Sequence, residues 1–345
     1  MKIAVVGSGY YGSLIALSLL DHADITLIEQ SDTLCSGASS INQSRLHEGY
    51  HYPRSTETAN EIRESNTLFK KKYGSDFLIN SDNYYAISKA DSKSNDDDFE
   101  NFCFKNKLPI EKVYLDIFNY KNVSSSYKVQ ETILNNDLIR TSIIKDLFNS
   151  NIKIKLNHKF TYNDLDKFDK VILCTYGNDY EITKTPKYTY RFQVVEKMKI
   201  LLPQKFRNKS VVVIDGPFFC FDPTIERDTF MIGSVKHANH SENIGLECEI
   251  PNYLKNHINK KSYNYKDITN FNNIISSAKK YIPDFKDAKY VSSQFVVRSV
   301  LAYSEKTDER LSSITQIDNK IYSVHSGKIS SSVIIANKIK NKIFN

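Results

Sequence analysis

MKIAVVGSGYYGSLIALSLLDHADITLIEQ, Met1–Gln30, is the stretch from which the fold is read. Lys2 to Gly7 forms a short apolar strand, Gly12 to Leu20 a helix with small residues on one side, and Ile25 to Glu29 a second strand. Short apolar runs bounded by glycine and joined by a helical period make a βαβ unit. GSGYYG, between the first strand and the helix, supplies Gly7, Gly9 and Gly12 in the context where this spacing binds a dinucleotide. Gly7 permits the tight turn, Gly9 lets a pyrophosphate approach the backbone, and Gly12 lets the helix pack on the sheet. The free N–H groups of the first helical turn, with Ser8, Tyr10 and Tyr11 around them, then face the phosphates. Glu29, followed by Gln30, closes the second strand, where a carboxylate accepts from ribose hydroxyls and disfavours a 2′-phosphate.

Outward from this unit, Ser31 to Ser44 is a polar, serine-rich loop, and long loops inside compact domains are usually functional or disordered. Ser55 to Tyr73 reads as a helix behind Pro53, and Asn136 to Phe148 as an amphipathic one, while Ser88 to Glu100 reads as an exposed loop. Ile152 to Leu156 and Lys170 to Cys174 are further short strands. Tyr188 to Lys197, Ser210 to Asp215 and Thr229 to Ser234 read as strands of a separate sheet, with a helix at Asp267 to Tyr281 and a long strand at Tyr290 to Tyr303. Ile321 to Val324 is the last strand, followed by Gly327 and a final helix. The early and late pieces suit a parallel sheet and the middle ones an antiparallel sheet, which implies a nucleotide domain interrupted by a substrate domain.

Composition removes several classes of function. No apolar run approaches the roughly 20 residues of a membrane span, and the N-terminus lacks the long apolar stretch of a signal peptide. The five cysteines are widely spaced without a CxxC pair, so neither a disulfide framework nor a zinc site is expected, and a cytoplasmic setting fits. A net charge of +7 favours anionic ligands, but the basic residues do not cluster with aromatics and no nucleic-acid motif is present. No metal site is expected, and the sequence leaves the oligomeric state open.

The glycine spacing does not separate FAD from NAD. Three further stretches bear on that choice: ASSINQSRLHEGYHYPRS, Ala38–Ser55; DKVILCTYG, Asp169–Gly177; and IYSVHSGKISSSVIIANKI, Ile321–Ile339. Together with the N-terminal fingerprint they resemble the D-amino-acid oxidase and glycine oxidase superfamily of FAD proteins. RLHEGYHY is similar to a loop of its L-2-hydroxyglutarate dehydrogenase branch. The resemblance implies an α/β fold, a Rossmann-like FAD-binding domain with an inserted, mainly antiparallel β substrate domain. The alternation of strand types along the chain places the FAD-binding domain at 1–80, 128–186 and 296–345, and the substrate domain at 81–127 and 187–295. The resemblance also implies that the cofactor is touched by Ser39, Ser40, Asn42, Ser44 and Arg45 of the first loop, Thr175 and Gly177 of the second, and Gly327, Lys328, Ile329 and Ser330 of the last. The chain departs from the family at Arg298-Ser299, where Arg-Pro is usual, at Asp308–Leu311, and in a last loop poor in glycine. No cysteine follows Cys248, which excludes the cysteinyl flavin link of the sarcosine oxidase branch.

The implied activity is that of an FAD-dependent oxidoreductase acting on a CH–OH or CH–NH2 group of a small polar substrate, anionic or sugar-derived, with hydride transfer to flavin N5. His47 and His51 have the intrinsic pKa of a general base, and Arg45 stands two residues before the first of them. A histidyl link to the flavin is a further option for His47. Arg54, Arg191 and Arg298 are candidates for binding a carboxylate or phosphate, and Tyr50 and Tyr52 for lining the pocket. Lys328 at the start of the last helix would stabilise negative charge on reduced flavin. Three other functions share these features: a flavin-dependent carbohydrate mutase or isomerase without net redox, a nicotinamide enzyme, and a non-catalytic flavoprotein.

Overall fold

A computed structural model describes residues 1–185, 188–303 and 311–344; the departure at Asp308–Arg310 lies outside the described residues. In chain order the elements begin with β1 (Lys2–Val6), α1 (Tyr10–Leu19), β2 (Asp24–Ile28), β3 (Arg45–Leu46), α2 (Thr56–Tyr73), β4 (Leu78–Ile79) and β5 (Asp82–Ser88). They continue through α3 (Asp96–Lys105), β6 (Ile110–Val113), β7 (Val123–Val129), β8 (Thr132–Leu134), α4 (Asn136–Phe148), β9 (Lys153–Lys155), β10 (Lys170–Leu173) and α5 (Tyr180–Thr183). Then follow β11 (Tyr190–Leu201), β12 (Lys209–Ile214), β13 (Phe219–Pro223), β14 (Thr229–Ser234), β15 (Asn239–Gly245) and α6 (Phe271–Ala278). The last are β16 (Lys289–Leu301), β17 (Ser313–Gln316), β18 (Ile321–His325) and α7 (Ser331–Phe344).

The first sheet runs β17-β18-β10-β1-β2-β9 and is parallel except for the edge strand β17. Both faces of β1 are covered, so Ile3, Ala4, Val5 and Val6 are all buried and the strand reads as a continuous apolar run. Small residues on α1 let it lie close to α7, and their apolar faces meet α4 over one side of the sheet. Phe160, Leu165 and Ile182 cover the other side. β18 pairs in parallel with β10, which puts the last strand in the same sheet as the first.

The second sheet is mainly antiparallel, β15-β11-β14-β13-β12-β5-β7-β6 with β16 also paired to β11. It packs its far face on α6 through Phe221, Phe230, Phe285 and Ile274. A small sheet, β3-β8-β4, lies beside the two. Two expectations are corrected. Residues 296–301, expected in the nucleotide domain, lie in the second sheet, because β16 pairs with β11 from Lys289 to Leu301. The expected loop at Ser88–Glu100 contains the start of α3, nucleated by a reciprocal capping box between Asn95 and Asp98 that its Ser/Asp/Lys composition conceals.

Candidate active site

The first half of the site is the turn between β1 and α1. Gly7 adopts φ +96°, and a Cβ there would lie 2.5 Å from the Cys174 carbonyl oxygen. A Cβ at Gly12 would lie 1.8 Å from the Gly7 carbonyl oxygen, so any larger residue displaces the helix from the turn. Gly9 caps α1 without a side-chain bond, and the first turn carries no acid. The Tyr10 N–H donates to Ser39 Oγ at 3.0 Å. Glu29 is buried at the end of β2, where it accepts the N–H and hydroxyl of Ser8 at 2.9 and 2.8 Å, and those of Ser31 at 2.9 Å each. A helix N-terminus free of acids, glycine where a side chain would intrude and a fixed carboxylate at the end of β2 fit the pyrophosphate and adenosine of FAD. Gln30 beside Glu29 is exposed.

The serine-rich loop is held largely by its own bonds. The Ser40 hydroxyl donates to the Gly37 carbonyl at 3.0 Å, and Asn42 Oδ1 accepts the Ser44 N–H at 2.7 Å. Asn42 Nδ2 donates to the Ser39 carbonyl at 3.1 Å. Across the site, the Tyr11 hydroxyl donates to the Lys328 carbonyl at 2.6 Å and stands 2.9 Å from Ser312 Oγ. Gly327 N–H donates to the same Ser312 oxygen at 3.0 Å, while Glu61 accepts from Ser312 N–H and from the Ser331 hydroxyl. The loop before α7 is thereby tied to the dinucleotide turn; Ile329 packs on the core and Ser330 is buried. At the end of β10, Thr175 donates to Asp179, and a Cβ on Gly177 would lie 2.5 Å from Ser299 Oγ of β16.

The second half is a cluster of rings. His47 and His51 lie 5.1 Å apart, and Tyr52 is 5.9 Å from the first and 5.3 Å from the second. The Lys328 ammonium sits 4.7 Å over the Tyr52 ring. Beneath them is Glu131, with Oε1 3.5 Å from His47 Nδ1 and Oε2 accepting from Arg45 and from the Tyr85 hydroxyl, each at 2.9 Å. Burial pushes the His47 pKa down to about 4, and the Lys328 charge adds to that. Burial opposes the Glu131 charge, but His47 and Arg45 hold its carboxyl well below the usual carboxylate range. At neutral pH the pair is therefore a neutral imidazole beside a carboxylate.

Four expected site residues are placed elsewhere. Arg45 does not face the reaction centre: it is buried between Glu131, Asp222 and Ser210, where it neutralises two carboxylates. Tyr50 is fully buried against Tyr85 and Leu108 with its hydroxyl on the Pro109 carbonyl at 2.7 Å, so it is core and not pocket lining. Arg54 pairs with Asp215 at 2.7 Å and Arg191 with Glu242 at 3.3 Å, which ties both to protein carboxylates. Arg298 is exposed on β16 opposite Gln193. Sequence reasoning missed Glu131, Tyr85, Gln43 and Lys197. Lys197, on the same face of β11 as Gln193, has its ammonium 3.2 Å from Gln43 Oε1; burial lowers its pKa, and nearby Arg298 lowers it further against the opposing pull of Cys220. Gln43 lies in the quoted Ala38–Ser55 stretch but carries no charge to single it out, and Glu131, Tyr85 and Lys197 belong to no local motif and reach the site through the second sheet and its connections.

The His47 shift predicts a pH dependence of stability. Its folded pKa lies below the ordinary 6.5, so between about 4 and 6.5 the unfolded chain binds a proton that the folded chain does not. This contribution is complete above 6.5 and is lost as pH falls towards 4. Thermal unfolding across that window should show His47→Asn losing less Tm on acidification than the wild type, by on the order of 5 °C.

Residues 2–103 match the family described as DAO, FAD dependent oxidoreductase. The chain is 26% identical over 253 residues to FAD-dependent monooxygenase FPY4 of Fusarium mangiferae, covering 69% of this chain and 64% of that protein. It is 27% identical over 164 residues to FAD-dependent monooxygenase kojA of Aspergillus flavus, covering 46% of this chain and 38% of that one. The chain thus spans less than two thirds of the length of either curated relative. Its fold is similar to glycine oxidase from Geobacillus kaustophilus, with a TM-score of 0.73 at 12% identity over 99% of this chain and 94% of that one. It is also similar to L-alpha-glycerophosphate oxidase from Mycoplasma pneumoniae with FAD bound, with a TM-score of 0.69 at 15% identity over 98% and 93% of the two chains.

Proposed function

We propose that the chain, an FAD-dependent oxidoreductase by its N-terminal family match and similar in fold to glycine oxidase, oxidises a CH–OH or CH–NH2 group of a small polar substrate carrying an anionic or sugar-like end. The first sheet serves as the nucleotide domain and the second as the roof of the substrate site. One observation carries this reading. The Lys328 backbone is held by Tyr11 of the dinucleotide turn, while its ammonium covers Tyr52 beside His47 and His51. A cofactor held by the turn and by the loop before α7 would share its site with the two histidines.

Bound FAD supplies the acceptor, taking a hydride equivalent at N5. The chain supplies the rest. Neutral His47 would accept the substrate's hydroxyl or ammonium proton at Nε2, so that loss of the C–H hydrogen as hydride to the bound flavin leaves a carbonyl or an iminium carbon. Lys328 and the N-terminus of α7 offset the negative charge that accumulates on reduction. Lys197 and Arg298 project from one face of neighbouring strands and hold the substrate's anionic end.

Anaerobic titration of the yellow protein with hydroxy acids, amino acids and sugar derivatives tests the reading. At least one class should bleach the flavin; FAD-loaded protein that none of them reduces would overturn it. Lys328→Met should keep FAD and lower the flavin's affinity for sulfite about tenfold, or 1.4 kcal/mol, in a spectrophotometric titration.

A further inference from the structure

Glu131 stands between β7 and β8, fully buried, far in sequence from the loop that carries His47. Its acceptor positions are taken by donors from several directions. Arg45 and the Tyr85 hydroxyl reach Oε2 at 2.9 Å, and the Glu48 N–H reaches Oε1 at 3.0 Å. Three donors, two from the Arg45–Glu48 segment and one from β5, fix the orientation of the carboxylate. Oε1 also faces His47 Nδ1 at 3.5 Å, and that nitrogen is buried with no hydrogen-bond partner. A carboxylate opposite an imidazole nitrogen attracts an N–H and repels a lone pair. The backbone fixes the ring in place as well, since Asn66 Nδ2 donates to the His47 carbonyl at 2.6 Å.

We propose that Glu131 is a positioning residue: it holds His47 as the Nδ1–H tautomer and so leaves Nε2 as the proton acceptor of the site. This rests on the reading of His47 as the base. It assigns a role to the buried charges that the fold alone does not require. Arg45, placed between Glu131 and Asp222, keeps the carboxylate ionised in a buried setting. Lys328 on the far side of Tyr52 discourages protonation of the ring. The proton that Nε2 takes from substrate is balanced by Glu131 without leaving Nδ1.

The test begins with the wild-type holoprotein. Two-bond proton–nitrogen correlation spectra of 15N-histidine protein, with the His47 signals assigned by their loss in His47→Asn, report which ring nitrogen carries the proton. The expected pattern at neutral pH is protonated Nδ1 and bare Nε2; a protonated Nε2 in the wild type overturns the proposal. In Glu131→Gln the amide can present an N–H to Nδ1, so the tautomer should invert or mix. Flavin reduction should then slow by about 100- to 10,000-fold in kcat with little change in KM. Glu131→Asp should keep the wild-type tautomer. Asp222→Asn removes the other carboxylate partner of Arg45 without touching His47, and should also keep it. If Asp222→Asn inverts the tautomer as Glu131→Gln does, or if Glu131→Gln leaves it unchanged, the proposal fails. Should Glu131→Gln not fold, the Arg45→Gln/Glu131→Gln pair removes both charges together and is read in the same way. A tautomer that follows Glu131, combined with an unimpaired His47→Asn, supports the positioning and removes only the base assignment.

Discussion

Gly9→Asp is expected to give a folded, colourless protein. Gly9 caps α1 with no side-chain bond, at the point where the N–H groups of the first turn would meet the pyrophosphate in the proposed site. A Cβ there would lie 3.0 Å from the hydroxyl of Ser39, the far end of a side chain that can move a few tenths of an ångström. The backbone therefore tolerates the change. The ligand does not: the carboxylate occupies the space of the phosphates and repels them at close range. Juxtaposed like charges cost several kcal/mol, so the affinity for FAD should fall at least about 100-fold. Flavin absorbance against protein, with unfolding followed in parallel, measures both halves of the expectation. Gly12→Ala provides the contrast. Its Cβ would meet the Gly7 carbonyl oxygen at 1.8 Å, so it should lose stability as well as FAD. Retention of stoichiometric FAD by Gly9→Asp would place the dinucleotide site elsewhere.

His47→Asn is expected to retain FAD and slow anaerobic flavin reduction by about 100- to 10,000-fold, the usual cost of losing a general base. Asn keeps a polar group near Glu131 but cannot accept the proton. Because burial already keeps His47 neutral down to about pH 4, the wild-type rate should stay level from neutral pH down towards that value and fall below it as the ring takes up a proton. In the variant that acid limb should disappear along with most of the rate. His51→Asn, whose ring is 5.1 Å away, should lose less. If His47→Asn reduces its flavin as fast as the wild type, the proton goes to another group. If the denatured wild type stays yellow and the variant does not, the flavin is attached through His47.

The dinucleotide turn was legible because its logic is local. Gly7, Gly9, Gly12 and Glu29 sit at fixed offsets in one βαβ unit, and each offset has a steric or electrostatic cause. The helix Asn136–Phe148 was read from its apolar period in the same way, to the residue. The reaction centre was legible only as a loop. Gly49, at φ +117°, reverses the chain there and sends Tyr50 into the core while His51 and Tyr52 stay with His47; nothing in HEGYHY says which aromatic goes inward. Arg45 reads as a flavin-side residue because its partners, Glu131 and Asp222, are brought to it from 86 and 177 residues further on. Arg54 has its carboxylate partner, Asp215, directly after β12 and 161 residues further on. A sequence displays a charge but not the opposite charge that tertiary structure will set against it.

The position of Arg45 also bears on how molecules enter and leave. Its guanidinium joins the small sheet, through β3, to Glu131 before β8 and to Asp222 on β13. Removing Glu131 or Asp222 alone would strand a buried charge, which typically costs about 3 to 5 kcal/mol, so the small sheet and the second sheet are expected to stay together as substrate and product exchange. Exchange is then expected through loop movement rather than through separation of these two sheets. The rate of product escape should then respond to changes in surface loops and be indifferent to crosslinks between the sheets.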